Sequence, residues 1–447
     1  MSKLWESEHG KTQNDKTGNR AGLRRKVEAF TVGEDYLLDR RLLPYDLRAS
    51  KVHAEALVHA GVLDEEECVR LQEALDEIHG LWKAGDFEIL PEQEDCHTAI
   101  EEFLTDKLGE LGRKIHAGRS RNDQVLVAMR LLEKDGLKQV VGGVKLLAET
   151  LLDQARRYDG VPMPGYTHTR KAMLSSVPLW LASLAEMLIM DLEAVRGAWR
   201  QADRCPLGTA AGYGTAFDLP REETARKLGF SRPLVASLAA QNTRGRVDLQ
   251  VVQALEAVGS TLALFADDLL DFTASERGFF ELDDVFCTGS SIMPQKRNID
   301  TAELMRARHA ELAGSAQAIR MNINGLGSGY HRDLQLAKGH VIRSLDTILE
   351  MLEMATLLAE SLRPVEENLR AACTPELFAA DRANELVREG LSFRDAYHRV
   401  KEELDNLEAD DPEANLRSKT HLGAPGNPGV EELREEVRAF RLELDRD

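Results

Sequence analysis

Aromatic residues are scarce, with Phe, Tyr and Trp together making up only 5% of the 447 residues. A core that must be filled by Leu, Ala, Val and Met suits helices better than sheets. Cysteines number five, at Cys68, Cys96, Cys205, Cys287 and Cys373. The odd count and the lack of a CxxC pair argue against a disulfide framework or a structural zinc site, and point to a reducing cytoplasm. Glycine (33) and proline (14) are too few for a low-complexity chain. No run of about 18 apolar residues appears, so no membrane-spanning helix is expected. The opening MSKLWESEHGKTQNDKTGNR has no apolar stretch of the kind a signal peptide needs. Positive charge is in deficit: the net charge is −19, which opposes binding to nucleic acid or an anionic membrane, because phosphates must be neutralised by Lys and Arg. Neither HExxH nor a similar metal-ligand set is present. Residues 208–214, GTAAGYG, lack the GxGxxG spacing and are not followed by GK[ST], so they read as a tight loop rather than a nucleotide cradle. No cofactor and no metal are implied.

What the chain does have is a 43% hydrophobic content at helical spacing. Leu47, Val52, Ala56 and Leu57, then Leu63, Val69, Leu71, Leu75 and Ile78, predict helices across residues 46–84, with Asp64 and Glu67 as an N-terminal capping pair. Long periodic segments follow at about 123–157, 174–202 and 249–275, then at about 301–320 and 341–362. Long helices joined by polar loops predict an all-α protein built on an elongated helical bundle. The expected organisation is an N-terminal helical domain over 1–112, a central long-helix bundle over 113–363 and a small C-terminal helical domain over 364–447. Within the first, polar residues 8 to about 20 read as a mobile arm. In the last, the turn-rich 421–429, HLGAPGNPG, precedes a final amphipathic helix.

The densest chemistry lies at Gly289-Ser290-Ser291-Ile292-Met293-Pro294-Gln295-Lys296-Arg297-Asn298. It offers two hydroxyls, a cation and an amide around a proline-fixed turn, just ahead of an expected helix start whose free N–H groups and positive dipole end suit a carboxylate. As plain structure, the segment would be a capped interhelical loop.

GSSIMPQKRN resembles the signature loop of the fumarase/aspartase superfamily, whose members cleave C–N or C–O bonds and release fumarate. Two further segments resemble argininosuccinate lyases in particular: His116-Ala117-Gly118-Arg119-Ser120-Arg121-Asn122-Asp123-Gln124 is similar to that family's HTGRSRNDQ, and Gly165-Tyr166-Thr167-His168 to its GYTH. Gly329-Tyr330-His331-Arg332-Asp333-Leu334-Gln335 with Lys338 resembles its arginine-end loop. The likeness runs from about Phe30 into the C-terminal domain. It implies a superfamily-type helical bundle assembled as a homotetramer, with sites shared between subunits, as in the related delta-crystallins. The implied reaction is the reversible β-elimination of argininosuccinate to arginine and fumarate in arginine biosynthesis. Two other readings stand beside it: a lyase of another N-substituted aspartate, and a non-enzymatic, crystallin-like paralogue.

Such a cleavage removes a weakly acidic proton from a carbon beside a carboxylate, so the site must surround that carboxylate with donors. By the resemblance, Ser290 is the base, with Ser291 as the alternative hydroxyl. His168 serves the leaving nitrogen, Glu303 orients His168, and Lys296 stabilises charge. Thr167, Asn298, Ser120 and Asn122 bind the carboxylate end, while Arg121, Tyr330, Gln335, Lys338 and Asp39 meet the arginine half. His97 lies in another family-like stretch without an assigned role. As structure alone, Ser290 would cap a turn, Glu303 would be a solvated acid in a first helical turn, and His97 would pack or cap. The chain departs from the family pattern in the FTVGEDYLLD stretch at residues 30–39, at Ile299 and at residues 330–333.

Overall fold

The computed structural model describes residues 18–442. Most of the polar arm expected at residues 8–20 lies outside them, and Gly18 already opens a helix. The fold is helical, with only short strands beside long helices. Its contacts gather into two compact units, residues 1–129 with 206–229, and residues 130–205 with 230–447. Asp123, whose carboxylate accepts hydrogen bonds from the backbone N–H groups of Gly208 and Ala210 at 3.0 and 2.9 Å, ties the 206–214 loop to the N-terminal residues of the first unit.

In the first unit, the helices Asp35–His59, Glu65–Ala84 and Cys96–Leu108 bury Leu42, Leu43, Leu57, Leu71, Leu75, Ile78, Ile100 and Leu104 against one another. The predicted capping pair is present as a reciprocal box. The Asp64 side chain accepts from the Glu67 N–H at 2.7 Å, and the Glu67 side chain accepts from the Asp64 N–H at 3.2 Å. Gly112 lets the short helix Glu110–Lys114 close on the preceding helix, since a Cβ there would lie 2.1 Å from the Leu104 carbonyl oxygen.

The second unit is a bundle of Val177–Ala202, Arg246–Phe272, Asp300–Ile323 and Ala337–Ser361 with the later part of Arg121–Arg157. These match the five predicted periodic segments to within a few residues. Val251, Leu255, Val258, Leu262, Phe265 and Leu269 recur at i, i+3 and i+4 and are all buried. Truncating one of these leucines to alanine costs about 2–5 kcal/mol. Gly136 and Gly259 allow close helix approaches, against Leu345 and Leu312 respectively. Contrary to the expectation from sequence, one stretch, Ser237–Phe272, is long and apolar enough to cross a membrane, but 61% of its apolar window is buried inside the fold. It is apolar because most of it, Arg246–Phe272, is a core helix of the bundle.

Short strands project the loops from this bundle. Pro162–Thr167 pairs antiparallel with Arg170–Ser176, and Thr288–Gly289 pairs antiparallel with Arg297–Asn298. The last helix, Val430–Ala439, follows the turn-rich 421–429 as predicted.

Candidate active site

Thr167 and Arg170 are cross-strand partners, leaving His168 and Thr169 as a two-residue hairpin turn with φ of +50° and +62°. Two left-handed residues suit a turn of this kind, but Asn-Gly is its usual composition. A β-branched Thr in that region is strained by about 1–3 kcal/mol. The turn presents the His168 side chain to solvent. Behind it, the Arg277 guanidinium lies 4.3 Å from the ring centroid of Tyr166.

Ser290 stands at the entry to the tip of the second hairpin, whose residues 291–297 are all exposed. Its hydroxyl oxygen accepts hydrogen bonds from the N–H groups of Ile292 and Met293 at 3.3 and 3.0 Å. Both donors to this oxygen thus come from the loop's own turn. The helix that follows begins at Asp300, two residues beyond Asn298. The hairpin is fastened at its base, where the Thr288 hydroxyl donates to Asp300 at 2.6 Å and Arg297 pairs with Asp284. Lys296 is exposed and Asn298 half-buried. Glu303 is exposed in the first turn of Asp300–Ile323, and among the described residues no hydrogen bond joins it to His168. Within one chain the expected His–Glu pair is therefore not formed.

Ser120, Arg121 and Asn122 lie at the start of the Arg121–Arg157 helix. Asp123 accepts from the Ser120 N–H at 2.8 Å, and the Ser120 hydroxyl from the Asn122 N–H at 3.3 Å. Burial pushes the Asp123 carboxyl up to about 6, despite the N–H groups of Ser120, Ala210 and Gly208 and the Arg119 charge, which all favour its ionised form. Arg121 donates to the Thr98 hydroxyl at 2.5 Å and pairs with Asp95 at 3.2 Å. Asp39 is fully buried, accepting the Cys96 N–H at 3.0 Å; this gives it a helix-capping position rather than a solvent-facing one. Tyr330 is partly exposed, Gln335 half-buried and Lys338 buried at the start of Ala337–Ser361.

Beneath the Ser120 segment runs a buried polar chain, of which the sequence showed only His97 and the motif residue Arg119. Arg119 donates to the Ser50 hydroxyl at 2.9 Å, Ser50 to Asp46 at 3.2 Å, and His97 Nδ1 meets Asp46 at 2.6 Å. Burial opposes charge on both members of the last pair, but their mutual attraction prevails. The Asp46 carboxyl is held below its ordinary range and the His97 imidazole above its own. His53 donates from Nε2 to the Ala117 carbonyl at 2.8 Å, and burial with the nearby Arg119 charge keeps it neutral, at about 3. Burial and the same arginine also bring His116 down to about 4.

A second buried set lies in the bundle. Arg130 bonds Glu133 at 2.8 Å and Asp248 at 3.4 Å. One guanidinium cannot balance two buried carboxylates. Burial, together with the Asp248 charge, pushes Glu133 up to about 8 despite the attraction of Arg130. The only signal in the sequence was an Arg and a Glu one helical turn apart.

Asp39, Cys96 and His97 each place one possible metal-ligand atom within 4.8 Å of the others. The hydrogen bonds of Asp39 to Cys96 and of His97 to Asp46 account for that clustering without an ion.

The family model described as "Lyase" matches residues 27–314. The argininosuccinate lyase of Sorangium cellulosum is 45% identical over 404 residues, covering 90% of this chain and 94% of that protein. The argininosuccinate lyase of Thermotoga neapolitana is 43% identical, covering 84% of this chain and 95% of that protein. Among solved structures, EDDS lyase in complex with formate matches with a TM-score of 0.78 at 23% identity, covering 90% of this chain and 86% of that one. A fumarate lyase:delta crystallin from Brucella melitensis, bound to cobalt, matches with a TM-score of 0.72 at 19% identity, covering 94% and 95%. Both structures share this helical fold.

Proposed function

Because the chain belongs to the argininosuccinate lyase family, we propose that it splits argininosuccinate into arginine and fumarate by β-elimination, as a step of arginine biosynthesis. The observation that carries the chemistry is the pair of backbone N–H groups at the Ser290 hydroxyl oxygen. Serine is a poor base unless its oxyanion is stabilised where it forms, and two fixed donors supply that stabilisation. Ser290, acting as its oxyanion, takes the proton from the succinyl methylene carbon, the one not bonded to nitrogen, and becomes the neutral hydroxyl. The electron pair delocalises into the adjacent carboxylate, held by Lys296, Asn298, Thr167, Ser120 and Asn122. It then forms the fumarate double bond as the C–N bond breaks, and His168 protonates the departing guanidino nitrogen.

Arg121, Tyr330, Gln335 and Lys338 are assigned to the arginine half, and Asp39 supports them from beneath by fixing the Cys96–Leu108 helix. Glu303 orients His168 from a neighbouring subunit of a homotetramer, a reading supported by the lack, among the described residues, of a hydrogen bond between the two within one chain. The free state of all five cysteines supports a cytoplasmic setting.

The test is direct: purified protein is given argininosuccinate and fumarate is followed by its ultraviolet absorbance. Other N-succinyl compounds are run beside it. Fumarate from argininosuccinate is expected. Release only from another N-substituted aspartate would move the substrate assignment, and no release from any would leave the crystallin-like reading.

A further inference from the structure

The turn at residues 241–245, Gln-Asn-Thr-Arg-Gly, has no part in the mechanism above, yet it touches the loop that carries Tyr330 at three places. Asn242 Oδ1 accepts the Gly329 N–H at 2.8 Å, and its amide nitrogen donates to the Ser328 hydroxyl at 3.5 Å. The Arg244 guanidinium lies 4.9 Å from the ring centroid of Tyr330. Gly245, at φ +76°, fits so closely that a Cβ would stand 2.4 Å from Ile323 Cγ2 and 3.1 Å from Leu334 Cδ2.

The turn is itself braced. The Gly245 N–H donates to Asp248 at 3.1 Å, and Arg130 reaches both Asp248 at 3.4 Å and the Thr243 carbonyl at 3.5 Å. The loop it meets carries Gly325, Gly327 and Gly329 within five residues, so its backbone has little conformational preference of its own. Its geometry must be imposed from outside.

We infer that Asn242 is a positioning residue for the arginine half of the substrate, fixing the backbone at Gly329 so that Tyr330 and the following Gln335 face the ligand in one arrangement. The inference rests on the proposed assignment of Tyr330. Bond breaking occurs at the succinyl end, so releasing this loop weakens binding in ground state and transition state alike. KM rises while kcat is largely retained.

The experiment compares steady-state kinetics of Asn242→Ala, Asn242→Asp and Tyr330→Ala, with melting curves for each. Asn242→Ala is expected to raise KM for argininosuccinate about three- to tenfold, the equivalent of one net hydrogen bond. Asn242→Asp keeps an oxygen acceptor for the Gly329 N–H and is expected to recover most of the loss. The Asn242 side chain is exposed, so both variants should melt as the parent does. A Tyr330→Ala variant with raised KM beside an unaffected Asn242→Ala overturns the inference alone. An unchanged KM in Tyr330→Ala overturns the assignment of Tyr330 and the inference with it. If Asn242→Ala loses its cooperative melting, Asn242→Asp decides: near-parental KM supports the inference, and an impaired KM in a well-folded protein refutes it.

Discussion

His97 Nδ1 lies 2.6 Å from Asp46 Oδ2, and both side chains are almost wholly shut off from water. The pair ends a chain that begins at Arg119, the residue before Ser120. It therefore supports the N-terminal face on which Ser120 and Asn122 stand.

Replacing His97 with Asn leaves the Asp46 carboxylate buried without its cation, a loss of about 3–5 kcal/mol. Asp46 is depressed, so its contribution is present above the ordinary Asp value and lost as pH falls through the depressed one. His97 is raised, so its contribution is present below the ordinary His value and lost as pH rises through the raised one. The stability gap between parent and His97→Asn should be widest between about pH 4 and 6.5 and narrow on both sides. Urea titrations across pH measure it, and a constant gap would refute the ion pair.

Glu133 behaves in the opposite sense to Asp46. Its folded value, about 8, lies above that of a free carboxyl, so the folded state holds the extra proton. Stability attributable to this group is full below about pH 4 and declines as pH rises toward 8. Glu133→Gln keeps the shape without the titration. It should flatten this part of the pH–stability curve and make the variant the more stable protein at alkaline pH. Parallel curves would show that Glu133 is ionised throughout.

Ser290 contributes little to packing, since it sits on a loop whose tip is exposed. Ser290→Ala should lower turnover by several orders of magnitude while helical circular dichroism and melting temperature stay near those of the parent. Retention of more than about a tenth of normal turnover would assign the base to another group, Ser291 first.

The long helices were legible in the sequence because each carries an apolar stripe of 3.6-residue period over many turns. The Asp64–Glu67 cap was legible for a similar local reason. The buried sets were not, because Asp46 meets His97 across 51 positions of chain and Arg130 meets Asp248 across 118. Pattern within a segment carries no record of such partners. The loop around Ser290 was legible as a turn ahead of a helix, but the source of the N–H groups that reach the Ser290 hydroxyl was not, since a tight turn and a helix start look alike in a Gly-Ser-Ser string. Asn242 passed unnoticed because its partner is a backbone amide, which leaves no mark on the sequence.

The lack of a hydrogen bond between His168 and Glu303 within one chain, among the described residues, bears on assembly. If each site draws on several subunits, two inactive proteins should repair each other. His168→Asn and Ser290→Ala, denatured and refolded together, should recover about a quarter of parental activity in a random mixture, because a working site needs an intact His from one subunit and an intact Ser from another. Each variant refolded alone is the control. Mixed assemblies of the parental size that remain inactive would place the whole site within one chain.

The left-handed turn at His168 and Thr169 also sets a direction for drift under selection. Glycine would sit there at lower backbone cost, so a population selected only for thermal stability should accept Gly at position 169 early, and Asn or Gly at position 168 soon after. The same changes would remove an imidazole or loosen its placement. With the role proposed for His168, selection for fumarate release would hold this hairpin at a composition that selection for folding would discard.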